Sequence, residues 1–216
     1  MHYSQAKKIM GRNFIGPEEL SQIADALHIS GNFIGHRVPA VPFNEKTLEK
    51  ISKDFILVLG IPKDENGDKL TIDKLRSFLG VDPKINEPCF YNQDWYLKES
   101  FANKNTLSFK WYIISRRISS TSRGRNPDLI AKKLLKNEKF PSAILTVFTF
   151  FAYYFYYNQI LWKNDFLWCS DRDHNGDVIY TGRYVDPKGI NKNGFNIHRH
   201  LKIQKTYGMA QEIVVK

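Results

Sequence analysis

The chain has 216 residues, 42 % of them apolar, with 15 Phe and 11 Tyr, which is enough for a real core in one large domain or two small ones. Lys and Arg outnumber Asp and Glu by 32 to 22, and the whole excess lies in the second half: residues 1–108 hold 14 cations and 14 acids, residues 109–216 hold 18 and 8. This excludes an acidic or disordered chain beyond the first dozen residues, and it points to a polyanionic partner, nucleic acid before a membrane surface.

In chain order, Gly16 and Pro17 open a helix whose stripe is Leu20, Ile23, Ala24 and Leu27. Asn44 caps a second helix carrying Leu48 and Ile51. Phe55–Ile61 is a continuous apolar run that suits a buried strand. Asn66-Gly67 marks a tight turn, and Thr71 caps a short helix ending near Gly80. Residues 83–88 form a loop, and 106–114 alternate as a half-buried strand. Residues 115–125 read as an exposed loop rich in Ser and Arg. Asn126-Pro127-Asp128 starts a helix that runs to Pro141 and exposes Lys132, Lys133, Lys136 and Lys139.

From Phe140 to Trp162 there is no charge, a length that spans a bilayer. Tyr153, Tyr154, Tyr156 and Tyr157 belong at an interface rather than in hydrocarbon, so the run reads as a buried central helix capped by Ser142. Beyond it, Phe166–Ser170 and Val178–Val185 flank Asn175-Gly176, a hairpin signal, and 195–203 alternate again. The fold class is therefore α+β: a mixed or antiparallel sheet whose C-terminal β-hairpin packs on a long apolar helix. The charge divide separates a neutral α+β portion, 1–108, from a basic α+β portion, 109–216, as parts of one continuous domain or as two. Asn-Phe-Ile-Gly recurs at 13–16 and 32–35. Asn-Gly-Asp followed by Val-Asp-Pro-Lys occurs at 66–84 and again at 175–188, by duplication or because turn residues recur in turns.

Four constellations bear on function. Arg116, Arg117, Arg123, Arg125, Lys132 and Lys133 lie among serines and a glycine, donors that suit phosphate oxygens. On the 195–203 strand, period two places Asn196, His198, His200 and Lys202 on one face, with the histidines about 7 Å apart. That face offers a second polyanion contact or half of a metal site. Arg199 falls on the apolar side, so either it reaches the sheet edge or it is buried with a carboxylate partner, an acid of the preceding hairpin. Asp171-Arg-Asp173-His174-Asn175-Gly176-Asp177 resembles the start of a calcium loop, but its twelfth position is Gly182 where a bidentate Glu is needed, so a turn explains it better. Phe90, Tyr91, Trp95 and Tyr96 offer rings that would stack on bases if exposed.

Phosphate loops, nucleophile elbows, dinucleotide fingerprints and zinc-type cysteine spacings are all missing, so no cofactor is implied. The expectation is a soluble protein that binds nucleic acid or another polyanion without catalysis of its own. With two cysteines, Cys89 and Cys169, and a polar start lacking the apolar stretch of a secretory signal, it belongs in the cytoplasm with no membrane span. One alternative is a metal-dependent hydrolase or nuclease, with His198, His200, Asp171 and Asp173 as ligands or bases. A restriction-type pair of Asp177 with Asp186-Pro187-Lys188 fits that alternative loosely, because Pro187 interrupts the strand. A structural or protein-interaction module is the other.

Overall fold

The computed structural model describes residues 1–32, 37–184, 194–200 and 202–214. Eight helices and nine strands among them form an α+β architecture with two sheets. The helices are α1 (Tyr3–Met10), α2 (Pro17–Gln22), α3 (Ala24–Leu27), α4 (Glu45–Ile51), α5 (Ile72–Leu79), α6 (Ser100–Asn103), α7 (Pro127–Ala131) and α8 (Ala143–Tyr157). The strands are β1 (Phe14–Ile15), β2 (Phe55–Leu59), β3 (Trp111–Ser115), β4 (Glu138–Lys139), β5 (Phe166–Arg172), β6 (Val178–Tyr184), β7 (Gly194–His198), β8 (Tyr207–Gly208) and β9 (Glu212–Ile213).

Helix starts follow side-chain chemistry. Asn44, Thr71, Asn126 and Ser142 each accept a backbone N–H of the following turn, satisfying donors that a helix leaves open. The first dozen residues, the one stretch whose composition left disorder open, contain α1, capped by His2 and anchored by buried Ala6 and Met10.

One sheet has the order β1-β2-β3-β9-β4, with β1 and β2 parallel and the other pairs antiparallel. It takes strands from both sides of residue 108, and one apolar core runs across that point from Phe14 and Leu57 to Phe148 and Ile197. β3 is shorter than the alternation in 106–114 implied, and all five of its residues are buried. Its edges pair with β2 and β9, and the burial of all five side chains keeps both faces from water.

The other sheet has the order β7-β6-β5-β8, and its β5–β6 hairpin packs on α8. Alternation sorts its side chains. Leu167, Cys169 and Ile179 join the main core, while Phe166, Trp168 and Tyr180 form a second cluster with Ile130, Tyr207 and Met209. At the α8 contact the buried hydroxyls of Thr146 and Thr181 are 2.8 Å apart. α8 is buried from Ala143 to Tyr153, and no helix among the described residues is long and apolar enough to cross a membrane.

A two-residue Asn175-Gly176 turn would set Trp168 opposite Arg183, and the observed register differs. Trp168 pairs with Tyr180 and Arg172 with Val178, with a register shift between Trp168 and Arg172. The cause is a turn longer than Asn175-Gly176. The Asp173 carboxylate accepts N–H groups from Asn175 (2.9 Å) and Asp177 (2.8 Å), closing a five-residue loop around Gly176 at φ 88°. Asp64-Glu-Asn-Gly-Asp68 repeats this pattern, with bonds of 3.0 and 2.9 Å to Asn66 and Asp68 and Gly67 at φ 86°. Its flanks differ, since only an isolated Lys63–Lys69 bridge surrounds it. Shared turn chemistry accounts for the repeated Asn-Gly-Asp. Residues 33–35 and 185–188, which carry the other repeated fragments, lie outside the described residues.

Candidate functional site

The loop from Arg116 to Arg125 is fixed to the end of the chain. Ser119 N–H donates to Met209 O (2.9 Å), Met209 N–H to Ser122 Oγ (2.9 Å), and Gly124 N–H to Tyr207 O (2.8 Å). Ile118 and Ser122 are buried beneath it, so the segment is not wholly exposed as its composition implied. Gly208 makes this closeness possible, because a Cβ there would stand 2.3 Å from Ile118 Cγ2 and 2.8 Å from Ser122 Oγ.

The helix expected to reach Pro141 is also corrected. α7 stops at Ala131, and Glu138–Lys139 is an edge strand paired with β9. Lys139 lies 3.1 Å from the buried Glu212 carboxylate, a partner that local propensity cannot see. Lys132 and Lys133 therefore sit on an irregular turn rather than on a helix face.

Between this turn and the loop lies a cleft of ≈ 400 Å³. Arg125, Lys133, Ser119 and Thr121 line it with Ile130, Leu134 and Met209. The Ser119 and Thr121 hydroxyls are 2.9 Å apart. Glu138 also reaches the cleft, with its carboxylate engaged by Leu135 N–H (3.1 Å) and the Gln211 amide (3.4 Å). Among the described residues Arg117, Arg125, Lys132 and Lys133 are exposed and form no ion pair.

The other two arginines of the segment have structural partners. Arg123 makes a two-pronged bond to Asp165 (2.6 and 2.8 Å) and also reaches Lys205 O, so its charge is already balanced. Arg116 lies over the Tyr153 ring at 5.6 Å, and Arg12 over Tyr157 at the same distance.

Asn196, His198, His200 and Lys202 do not form one face. β7 ends at His198, and His200 adopts φ 59°, which breaks the alternation. Asn196 is buried and donates to Gly194 O at 2.9 Å. His198 packs against Phe166 and Tyr180, at ring separations of 5.7 and 5.8 Å, and its Nδ1 is 3.4 Å from Gln93 Nε2. Burial pushes the His198 pKa down to about 4, so the ring is neutral near pH 7 and offers phosphate no charge. His200 and Lys202 are exposed, and Leu201 lies outside the described residues.

Of the two placements the sequence left open for Arg199, the structure has the carboxylate pair. It bonds Asp173, lies 3.8 Å from Glu99, and stacks over Trp95 at 4.4 Å. Burial raises the Asp173 pKa, but Arg199 and the N–H groups of Asp177 and Asn175 outweigh it and hold the carboxyl below its ordinary value. Trp95 also donates to Ile197 O at 3.1 Å, while Phe90 and Tyr96 are core residues, so these rings are committed to packing.

As for metal ligands, Asp173, Asp177 and His200 bring donor atoms close together, and so do Glu99, Asp173 and His174. His200 Nε2 is 3.1 Å from Asp177 and 3.8 Å from Asp173, and His174 Nδ1 is 2.5 Å from Glu99. Arg199 already supplies a positive charge between Asp173 and Glu99, where a cation would otherwise sit. His198 is in neither group, and Asp171 is elsewhere. Asp171 accepts Ala143 N–H (2.6 Å) at the positive end of α8 and the Asn105 amide (3.1 Å). Burial raises its pKa despite these bonds. Glu99 is an addition to the residues singled out from sequence, whereas Asp177 was singled out there for a restriction-type pair whose other members, Asp186 and Lys188, lie outside the described residues. Asp177 was visible as a turn acid, but nothing local links Glu99 to a hairpin 75 residues away.

No protein-family model, curated protein or solved structure matches this chain.

Proposed function

We propose that the protein binds a polyanion, nucleic acid first, through Arg117, Arg125, Lys132 and Lys133. The observation that carries this reading is the cleft, where Arg125 and Lys133 meet the hydroxyls of Ser119 and Thr121 without balancing ion pairs of their own. Guanidinium, ammonium and hydroxyl donors on a backbone-stapled loop are the groups that engage phosphate oxygens. Both cysteines are free thiols, which fits a reducing compartment such as the cytoplasm. The test is a salt titration of a fluorescein-labelled oligonucleotide by anisotropy. Affinity should fall log-linearly with salt, with a slope set by the number of phosphates neutralised.

A second reading, metal-assisted hydrolysis, rests on Asp173, Asp177 and His200. It requires Asp173 to serve a metal while still holding Arg199. Under this reading Zn²⁺ or Mn²⁺ would raise the melting temperature of the protein but not of its His200→Ala variant. The anion reading is preferred because its cations are uncommitted, whereas this carboxylate is not.

A further inference from the structure

We infer that the cleft admits one unpaired nucleotide, so that the preferred partner is single-stranded; this rests on the polyanion reading above. A duplex backbone needs only exposed cations, such as Arg117 and Lys132, neither of which lines the recess. The ≈ 400 Å³ recess adds something else, for it falls within the size range of sites that enclose a small molecule, about 300–1,000 Å³. Its lining is of two kinds. Ile130, Leu134, Met209 and Leu129, the last 55 % exposed, are apolar. Arg125, Lys133 and the Ser119–Thr121 hydroxyl pair are polar donors.

A ligand matching both kinds has a flat, weakly polar body and an anionic end, which describes a nucleotide with its base turned out of a stack. Bases inside a duplex do not present that body, whereas unpaired ones do. Glu138 also lines the recess, its carboxylate held by Leu135 N–H and Gln211, so Arg125 and Lys133 are the charged groups there that engage phosphate. Among the described residues no aromatic ring lines the cleft, so the base is gripped by aliphatic contact and by its sugar-phosphate anchor rather than by stacking.

The test compares a fluorescein-labelled single-stranded 12-mer with its duplex at one salt concentration, using the wild type and Leu129→Ala. Leu129 is an exposed, uncharged lining residue, so the change removes apolar contact without altering charge or a phosphate donor. Wild type should favour the single strand by about tenfold, and Leu129→Ala should lower that preference severalfold. Equal affinities in wild type, or an unchanged preference in Leu129→Ala, overturn the inference. A 12-mer carrying 2-aminopurine reports on unmodified protein, so the test survives if the variant fails to fold. Its fluorescence should rise severalfold on saturation as the base leaves its stack, and no change overturns the inference. Failure of both single strand and duplex to bind at low salt would instead remove the polyanion reading itself.

Discussion

Among the described residues Asp173 is the carboxylate that accepts the most hydrogen bonds, and its chemical twin at Asp64 provides an internal control. Both accept two N–H groups of the same five-residue turn. They differ in the second oxygen. At Asp173 it binds Arg199, whose side chain is three-quarters buried (24 % exposed), whereas at Asp64 the nearest cation is Lys74 at 3.5 Å. Losing the two turn bonds costs about 2 kcal/mol, at roughly 1 kcal/mol each. Leaving Arg199 without its main partner adds about 1–2 kcal/mol, below the figure for a fully buried pair because Glu99 remains 3.8 Å away. Asp173→Ala should therefore cost about 3–4 kcal/mol, and Asp173→Asn, which keeps the turn acceptor, about 1–2 kcal/mol. Asp64→Ala should cost about 2 kcal/mol, and Asp64→Asn should be the mildest of the four. Urea denaturation monitored by tryptophan fluorescence measures this, with midpoint shifts read at constant m. The reasoning fails if Asp173→Ala lies within about 1 kcal/mol of wild type, or if Asp173→Asn is as damaging as Asp173→Ala.

Other consequences follow from the same contacts. Burial holds His198 at about 4 against an ordinary 6.5, so the unfolded chain takes up this proton first. The stability it contributes is complete above pH 6.5 and is lost as pH falls toward 4, by about 2–3 kcal/mol, and His198→Gln should flatten that part of the urea-midpoint profile. Gly208→Ala sets a methyl group against Ile118 and Ser122 and should lower stability by about 1–3 kcal/mol in a thermal melt. The same change should loosen the basic loop and weaken oligonucleotide binding, since the loop's staples run through Met209 and Tyr207.

What could be read in the sequence was what local chemistry decides. The caps at Asn44, Thr71, Asn126 and Ser142 depend on one side chain and a neighbouring turn, and α8 is announced by its lack of charge. Arg199 was legible as a conflict between period and polarity, which a buried carboxylate resolves. What could not be read depends on distant partners. Glu138 and Lys139 look helical until Glu212 and Ile213 pull them into an edge strand. The histidine pattern of 195–203 looks continuous until the backbone turns at His200. The hairpin register was misread because Asn175-Gly176 suits a two-residue turn, while the Asp173 side chain closes a longer one. The cleft itself joins residues 119–138 to 209–211, and no spacing rule connects those stretches.

The salt dependence of oligonucleotide binding tests the functional claim most directly. Four phosphate contacts, at Arg117, Arg125, Lys132 and Lys133, predict a log–log slope of about −3 for a single strand. Arg125→Gln combined with Lys133→Gln should halve that slope with the fold intact by circular dichroism. A slope near zero, or a double variant that binds and titrates as wild type does, would contradict the account.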